Sequence, residues 1–114
     1  RGITTLVKES IIKMIQEYIS DLNNNSINLS KVLLYGSYAN GTENADSDID
    51  LMLVAPEFDE DRDKYLGLIW KLTAKSNYKI EPYPVGLKRF IYDNFSPIIQ
   101  NVKQNGIEIS IKKN

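Results

Sequence analysis

Two short apolar runs held apart by turn formers constrain this chain most. Lys31-Val32-Leu33-Leu34-Tyr35 is bounded by Ser30 and by Gly36-Ser37, while Asp48-Ile49-Asp50-Leu51-Met52-Leu53-Val54 is stopped by Ala55-Pro56. Their length and branched side chains favour buried strands over helices. Residues 36–47 between them are rich in Gly, Asn, Ser, Asp and Thr, the residues of turns. Strands of this kind need apolar layers to cover them, and the flanking sequence supplies those layers.

Ile3, Val7, Ile11, Met14, Ile15, Tyr18, Ile19 and Leu22 recur at steps of three and four, which predicts an amphipathic helix over 3–22. Asn23-Asn24-Asn25-Ser26 ends it. Asp59, Glu60 and Asp61 precede Tyr65, Leu66, Ile69 and Leu72, with Lys71 and Lys75 late. That charge order suits a second helix, the acids marking its start. Tyr78–Val85 alternates as a third strand, and Pro82 and Pro84 suggest either an edge position or a strand that ends early. Ser96 as N-cap, Pro97 in the first turn and Gly106 at C′ frame a short helix. Ile107, Ile109 and Ile111 then alternate with Glu108, Ser110 and Lys112 as a last, half-buried strand. Helices interleaved with strands predict an α/β or α+β fold, with 1–114 as a single domain. A domain of this mass can bury roughly two-thirds of its unfolded surface.

The chain has no Cys and no His, which excludes disulfides, thiolate nucleophiles, Ser-His-Asp triads and ordinary zinc or copper sites. A bound metal must take oxygen ligands, which points to magnesium, manganese or calcium on clustered Asp and Glu. A net charge of −1 argues against strong nucleic-acid binding. No apolar run approaches the ~18 residues of a membrane span and no signal-peptide pattern is visible, so the expected location is cytoplasmic.

The turn-rich segment departs from packing logic. Alternation along a strand puts Asp48 and Asp50 on one face, with Ile49 and Leu51 on the other. Two carboxylates in one place repel unless one takes a proton or a cation sits between them. Gly36-Ser37, directly after a strand, allows a sharp turn that offers N–H groups and a hydroxyl to a phosphate. The P-loop reading fails, because Thr42 and Glu43 stand where that motif needs Lys and Ser or Thr. The EF-hand reading fails at Leu51, where the calcium loop requires Gly.

Gly36-Ser37, ten residues, then Asp48-x-Asp50 resembles the signature of the nucleotidyltransferase domain of the DNA polymerase β superfamily, and specifically the minimal nucleotidyltransferases. The resemblance implies a mixed central sheet flanked by helices. It implies a short helix after Gly36-Ser37 that holds a nucleoside triphosphate, ATP by preference. It also implies three acidic residues that bind two magnesium ions, with manganese as the substitute. Asp48 and Asp50 are two of the acids, and Glu81 is the only acidic residue placed to be the third. The family often carries Arg where this chain has Asn40, and Asp where it has Glu81. Lys88 or Arg89 are candidate replacements for the missing cation.

The implied reaction is transfer of a nucleoside monophosphate to a hydroxyl with release of pyrophosphate. The implied setting is a toxin–antitoxin pair, in which the chain attaches AMP to a tyrosine of a HEPN-domain toxin. Two alternatives remain open: transfer to a small hydroxylated molecule of the aminoglycoside type, with subunits pairing as a homo-oligomer to build the acceptor cleft, or an inactive binding module of the same fold. Tyr38, beside Ser37, could stack on a base or pack in the core.

Overall fold

The computed structural model describes residues 7–111. Its centre is a four-stranded sheet in the order β3-β2-β1-β4, with β1 at Lys31–Tyr35, β2 at Ile49–Ala55, β3 at Ile80–Gly86 and β4 at Ile107–Glu108. β1 runs antiparallel to both β2 and β4, whereas β2 and β3 are parallel. The sheet is therefore mixed, as expected, and β3 lies at its edge. Pro82 and Pro84 lack the amide an inner strand must donate, which suits that position. The Arg62 guanidinium covers the edge, donating from Nε to Pro84 O at 2.8 Å and lying 5.2 Å from the centroid of the Tyr83 ring.

Alternation divides the strands between two apolar clusters. Val32, Leu34, Ile49, Leu51, Leu53 and Ile80 face α1 (Glu9–Asn24) and α4 (Arg62–Lys71), which contribute Ile11, Ile15, Tyr18, Ile19, Leu22 and Ile69. Tyr18 Oη donates to Ile69 O at 2.7 Å and ties the two helices together. On the other face Leu33, Met52, Val54 and Val85 meet Phe90 of α5 (Leu87–Tyr92) and Ile99 and Val102 of α6 (Pro97–Asn105). Two four-residue helices, α2 (Ser37–Asn40) and α3 (Glu57–Glu60), and a 3₁₀ turn at Leu72–Ser76 complete the described elements.

Several boundaries differ from the sequence-based expectation, each for a local reason. The first helix starts at Glu9 with Lys8 as its N-cap; Val7 precedes it, and Ile3 lies outside the described residues. The acids at 59–61, expected to open one helix, serve two. Asp61 Oδ1 caps α4 by accepting from Lys64 N at 3.2 Å, and Asp59 caps α5 by accepting from Lys88 N at 2.8 Å and Arg89 N at 3.3 Å. The third strand begins at Ile80 because Asn77 and Tyr78 turn through φ of 58° and 61°. Ser76 Oγ accepts the Ile80 amide at 3.2 Å there. Ser96 holds the N-cap position of α6 with Pro97 behind it, but its hydroxyl is committed to Asp93 Oδ2 at 2.7 Å rather than to the helix. Gly106 closes α6, as expected, and leaves it in extended backbone with φ −71°. The last strand is laddered only at Ile107–Glu108; Ile109 N still donates to Val32 O at 2.8 Å, and Lys112 lies outside the described residues. Among the described residues no helix is long and apolar enough to cross a membrane.

Candidate active site

The face covered by α5 and α6 does not stay apolar to its end. Where the row Leu33, Met52, Tyr83 gives way to the next, register places Tyr35 of β1 opposite Asp50 of β2, and Asp50 opposite Glu81 of β3. Asp48 precedes Asp50 by two residues and stands just outside β2. The structure thus brings together all three acids singled out from sequence. Asp50 is half-buried, while Asp48 and Glu81 are exposed at the rim.

Proximity shows in their ionisation. Glu81 is raised above the usual 4.5 by burial first, then by a hydrogen bond with the Asp48 carboxyl and by the charges of Asp50 and Asp48. Asp50 is raised above its usual 3.8 by burial and by Asp48. The Tyr35 phenol is pushed up to about 12 by burial, then by Asp50, Glu81 and Tyr83. Mutual repulsion and desolvation both favour a bound proton here, and a cation would relieve the same repulsion. The donors are hard carboxylate oxygens, the set that suits magnesium or manganese. Among the described residues no three acids are already grouped closely enough to hold a metal ion; Asp50 and Glu81 are register neighbours, with Asp48 two residues before Asp50.

The Gly-Ser turn abuts this cluster. Gly36 has φ +76° and ψ −150°, backbone open essentially only to glycine. A Cβ on it would collide with Asp50 Oδ2 and lie 3.3 Å from Asp50 Cγ. Backbone and carboxylate can approach this closely only because residue 36 has no side chain. Gly36 O accepts from Ala39 N at 3.1 Å and from Asn40 N at 3.0 Å, which turns the chain into α2 at Ser37. The first amides of such a turn have no preceding carbonyl to bond and are open to an acceptor.

Other residues were placed less well from sequence. Tyr38 is buried and packs in the larger apolar cluster. Asn40 ends α2 on the surface. Lys88 and Arg89 belong to α5, which follows the opposite end of β3 from Glu81; Arg89 Nε is paired with Asp93 Oδ2 at 3.2 Å. The basic residue that does reach the site segment is Lys79, which sequence reading overlooked. Its ammonium donates to Ser47 O at 2.9 Å and to Ala45 O at 3.4 Å, and lies 5.7 Å from the centroid of the Tyr38 ring. Its place two residues before Glu81 was the available signal. Tyr35 was likewise missed, although it shares the parity of Leu33 in the same strand.

Comparison with known proteins bears on the family and the fold. The profile of the family described as "Nucleotidyltransferase domain" matches residues 12–111. A candidate protein adenylyltransferase of Methanocaldococcus jannaschii is 28% identical over 102 residues, covering 87% of this chain and 98% of that protein. A solved structure described as a toxin–antitoxin with AMP-PNP shares the fold at a TM-score of 0.52 and 24% identity, over 86% of this chain and 74% of its own. With the profile spanning nearly all of the sequence, this chain belongs to the nucleotidyltransferase-domain family and is a nucleotidyltransferase enzyme.

Proposed function

We propose that the chain transfers AMP from ATP to a hydroxyl of a partner protein, a tyrosine of a HEPN-domain toxin whose antitoxin it is. The observation that carries this reading is the close approach of Gly36 to Asp50, which sets a glycine turn directly beside the carboxylates of Asp48, Asp50 and Glu81. The choice of a protein acceptor draws on the relative described as a protein adenylyltransferase, and the toxin–antitoxin setting draws on the fold neighbour.

In this reading Gly36 and Ser37 hold the triphosphate, and Asp48, Asp50 and Glu81 hold the divalent cations that the family generally uses. Bound there, such cations neutralise charge on the reacting phosphate and on the departing pyrophosphate. The chain's own residues supply the rest. The Gly36 turn fixes the triphosphate against β2, which orients the α-phosphorus for in-line attack. The acceptor oxygen forms its bond to the α-phosphorus as the bond from that phosphorus to the oxygen bridging to the β-phosphorus breaks. Pyrophosphate leaves with that oxygen, and the acceptor's proton passes to a Glu81 carboxylate oxygen.

The test is direct. Incubation of the protein with ATP, magnesium and the product of the adjacent reading frame should add the mass of AMP to one tyrosine of that partner. Asp48→Asn should abolish the addition. Transfer to a small hydroxylated compound with none to the partner would replace this reading with the small-molecule one.

A further inference from the structure

Lys79 touches the segment that carries Asp48 on both sides of that residue. Its carbonyl oxygen accepts from Ile49 N at 2.8 Å, and its ammonium donates to Ser47 O at 2.9 Å. One residue therefore brackets Asp48 from the backbone groups immediately before and after it. A second, longer bond reaches Ala45 O at 3.4 Å, and the face of Tyr38, the residue next to Ser37, lies 5.7 Å from the same nitrogen. The remaining bonds of this loop are internal or reach back to α2. Thr42 N donates to Ser37 O at 3.0 Å, Asn44 N to Ser47 Oγ at 2.9 Å, Asp46 N to Asn44 Oδ1 at 2.8 Å and Ser47 N to Asn44 O at 3.1 Å.

The ammonium is not spent on an ion pair: among the described residues no carboxylate lies within salt-bridge distance of it. Neither Asp50 nor Glu81 owes its ionisation to Lys79. Its three hydrogens serve two carbonyls and an aromatic face, contacts that a charged donor strengthens. The contacts fix position, and what they position is the link between the nucleotide turn and the acidic strand.

We propose that Lys79 is a positioning residue that clamps Ala45–Asp48 between α2 and β3, so that Asp48 meets the bound cation in register with Asp50 and Glu81. This rests on the nucleotidyl-transfer reading for its purpose, though the clamp itself can be measured without it. Loss of a group that orients a metal ligand costs roughly 10–100-fold in metal affinity, and that is the effect expected of Lys79→Met, which keeps the apolar stem and removes the donors.

Three proteins decide the matter: wild type, Lys79→Met and Lys79→Arg. Each is titrated with manganese in the presence of a non-hydrolysable ATP analogue, and amide hydrogen exchange is followed at residues 44–48. Lys79→Met should weaken manganese binding by about 10–100-fold and speed exchange at Ala45–Asp48, with an unchanged melting temperature. Lys79→Arg, which retains a charged donor, should recover most of both. Unchanged exchange in Lys79→Met would overturn the clamp, as would a loss that arrives with global destabilisation and is not recovered by Arg. If wild type binds no manganese, the transfer reading fails, and the exchange data alone then decide whether Lys79 holds the loop.

Discussion

The two faces of the sheet are built from the same strands and end differently. Toward α1 and α4, Val32, Leu34, Ile49, Leu51, Leu53 and Ile80 are all at most 1% exposed, and the row is apolar along its whole length. Toward α5 and α6, Leu33, Met52, Val54 and Val85 form a smaller core, and the next row is Tyr35, Asp50 and Glu81. Strand alternation makes this division of labour compatible with one short sequence: Leu51 and Asp50 are neighbours in the chain and face opposite layers. One face stabilises the fold, so the other can end in mutually repelling carboxylates.

The largest expected effect follows from Asp50. Electrostatic stabilisation at a metal-assisted phosphoryl site is worth several kcal/mol, and at about 1.4 kcal/mol per tenfold this is roughly three orders of magnitude in rate. Asp50→Asn should therefore lose transfer of label from α-labelled ATP by about 10³-fold without lowering the unfolding free energy. Leu51→Ala should do the reverse. Removing a fully buried leucine side chain costs about 2–5 kcal/mol, seen in urea denaturation, while the folded fraction keeps its turnover. Equal destabilisation by the two substitutions would erase the contrast between the faces.

Gly36 sits where the contrast is sharpest, because its backbone touches the carboxylate side of β2. Gly36→Ala must hold a side chain at φ +76° and push it against Asp50. Backbone strain of this kind costs about 1–3 kcal/mol, and the displaced Asp50 should lower turnover as well. Thermal melts and label transfer on one preparation check both. Loss of stability with full turnover would show that the turn and the acid act separately.

What could be read from sequence follows the same division. The strands around 31–35 and 49–54 were legible because periodicity and length both pointed to them, and the edge position of β3 was legible because proline cannot donate. Asp48 and Asp50 announced themselves as charges inside an apolar run. Glu81 could be matched only through the family resemblance, since its approach to Asp50 is a register fact between strands about thirty residues apart. Lys79 carried only a weak signal, its place two residues before Glu81, because its partners are carbonyl oxygens of Ala45 and Ser47, which no side-chain pattern encodes. α5 was missed because six residues, Leu87–Tyr92, are too few for periodicity, and its start is capped by the distant Asp59 rather than by a local Ser or Asp. Gly106 was legible as the end of α6, and it leaves the helix in extended backbone because the chain goes directly on to β4 beside β1.

The smallest expected effect concerns pH, and it compares two groups of carboxylates. Asp93 lies far below its usual 3.8, held first by the Ser96 hydroxyl, then by the Ser96 and Phe95 amides and Arg89. Its contribution to stability is present above 3.8 and disappears as pH falls toward the lowered value. Asp50 and Glu81 are raised by burial and by their neighbours. The native state binds their protons more tightly than the unfolded state, so their contribution is present below the usual 3.8 and 4.5 and is lost as pH rises through the raised values. Asp50→Asn removes one such group and relieves Glu81. Its unfolding free energy should exceed that of wild type at pH 7 by about 0.2–1 kcal/mol, and the gap should close as pH is lowered into the range where the native carboxyls are protonated. Asp93→Ala should move the other way, less stable than wild type at pH 7 and converging with it only at more acidic pH. Urea denaturation of the three proteins across the pH range checks both signs; an Asp50→Asn variant that is less stable than wild type at pH 7 would mean that Asp50 holds the fold together rather than straining it.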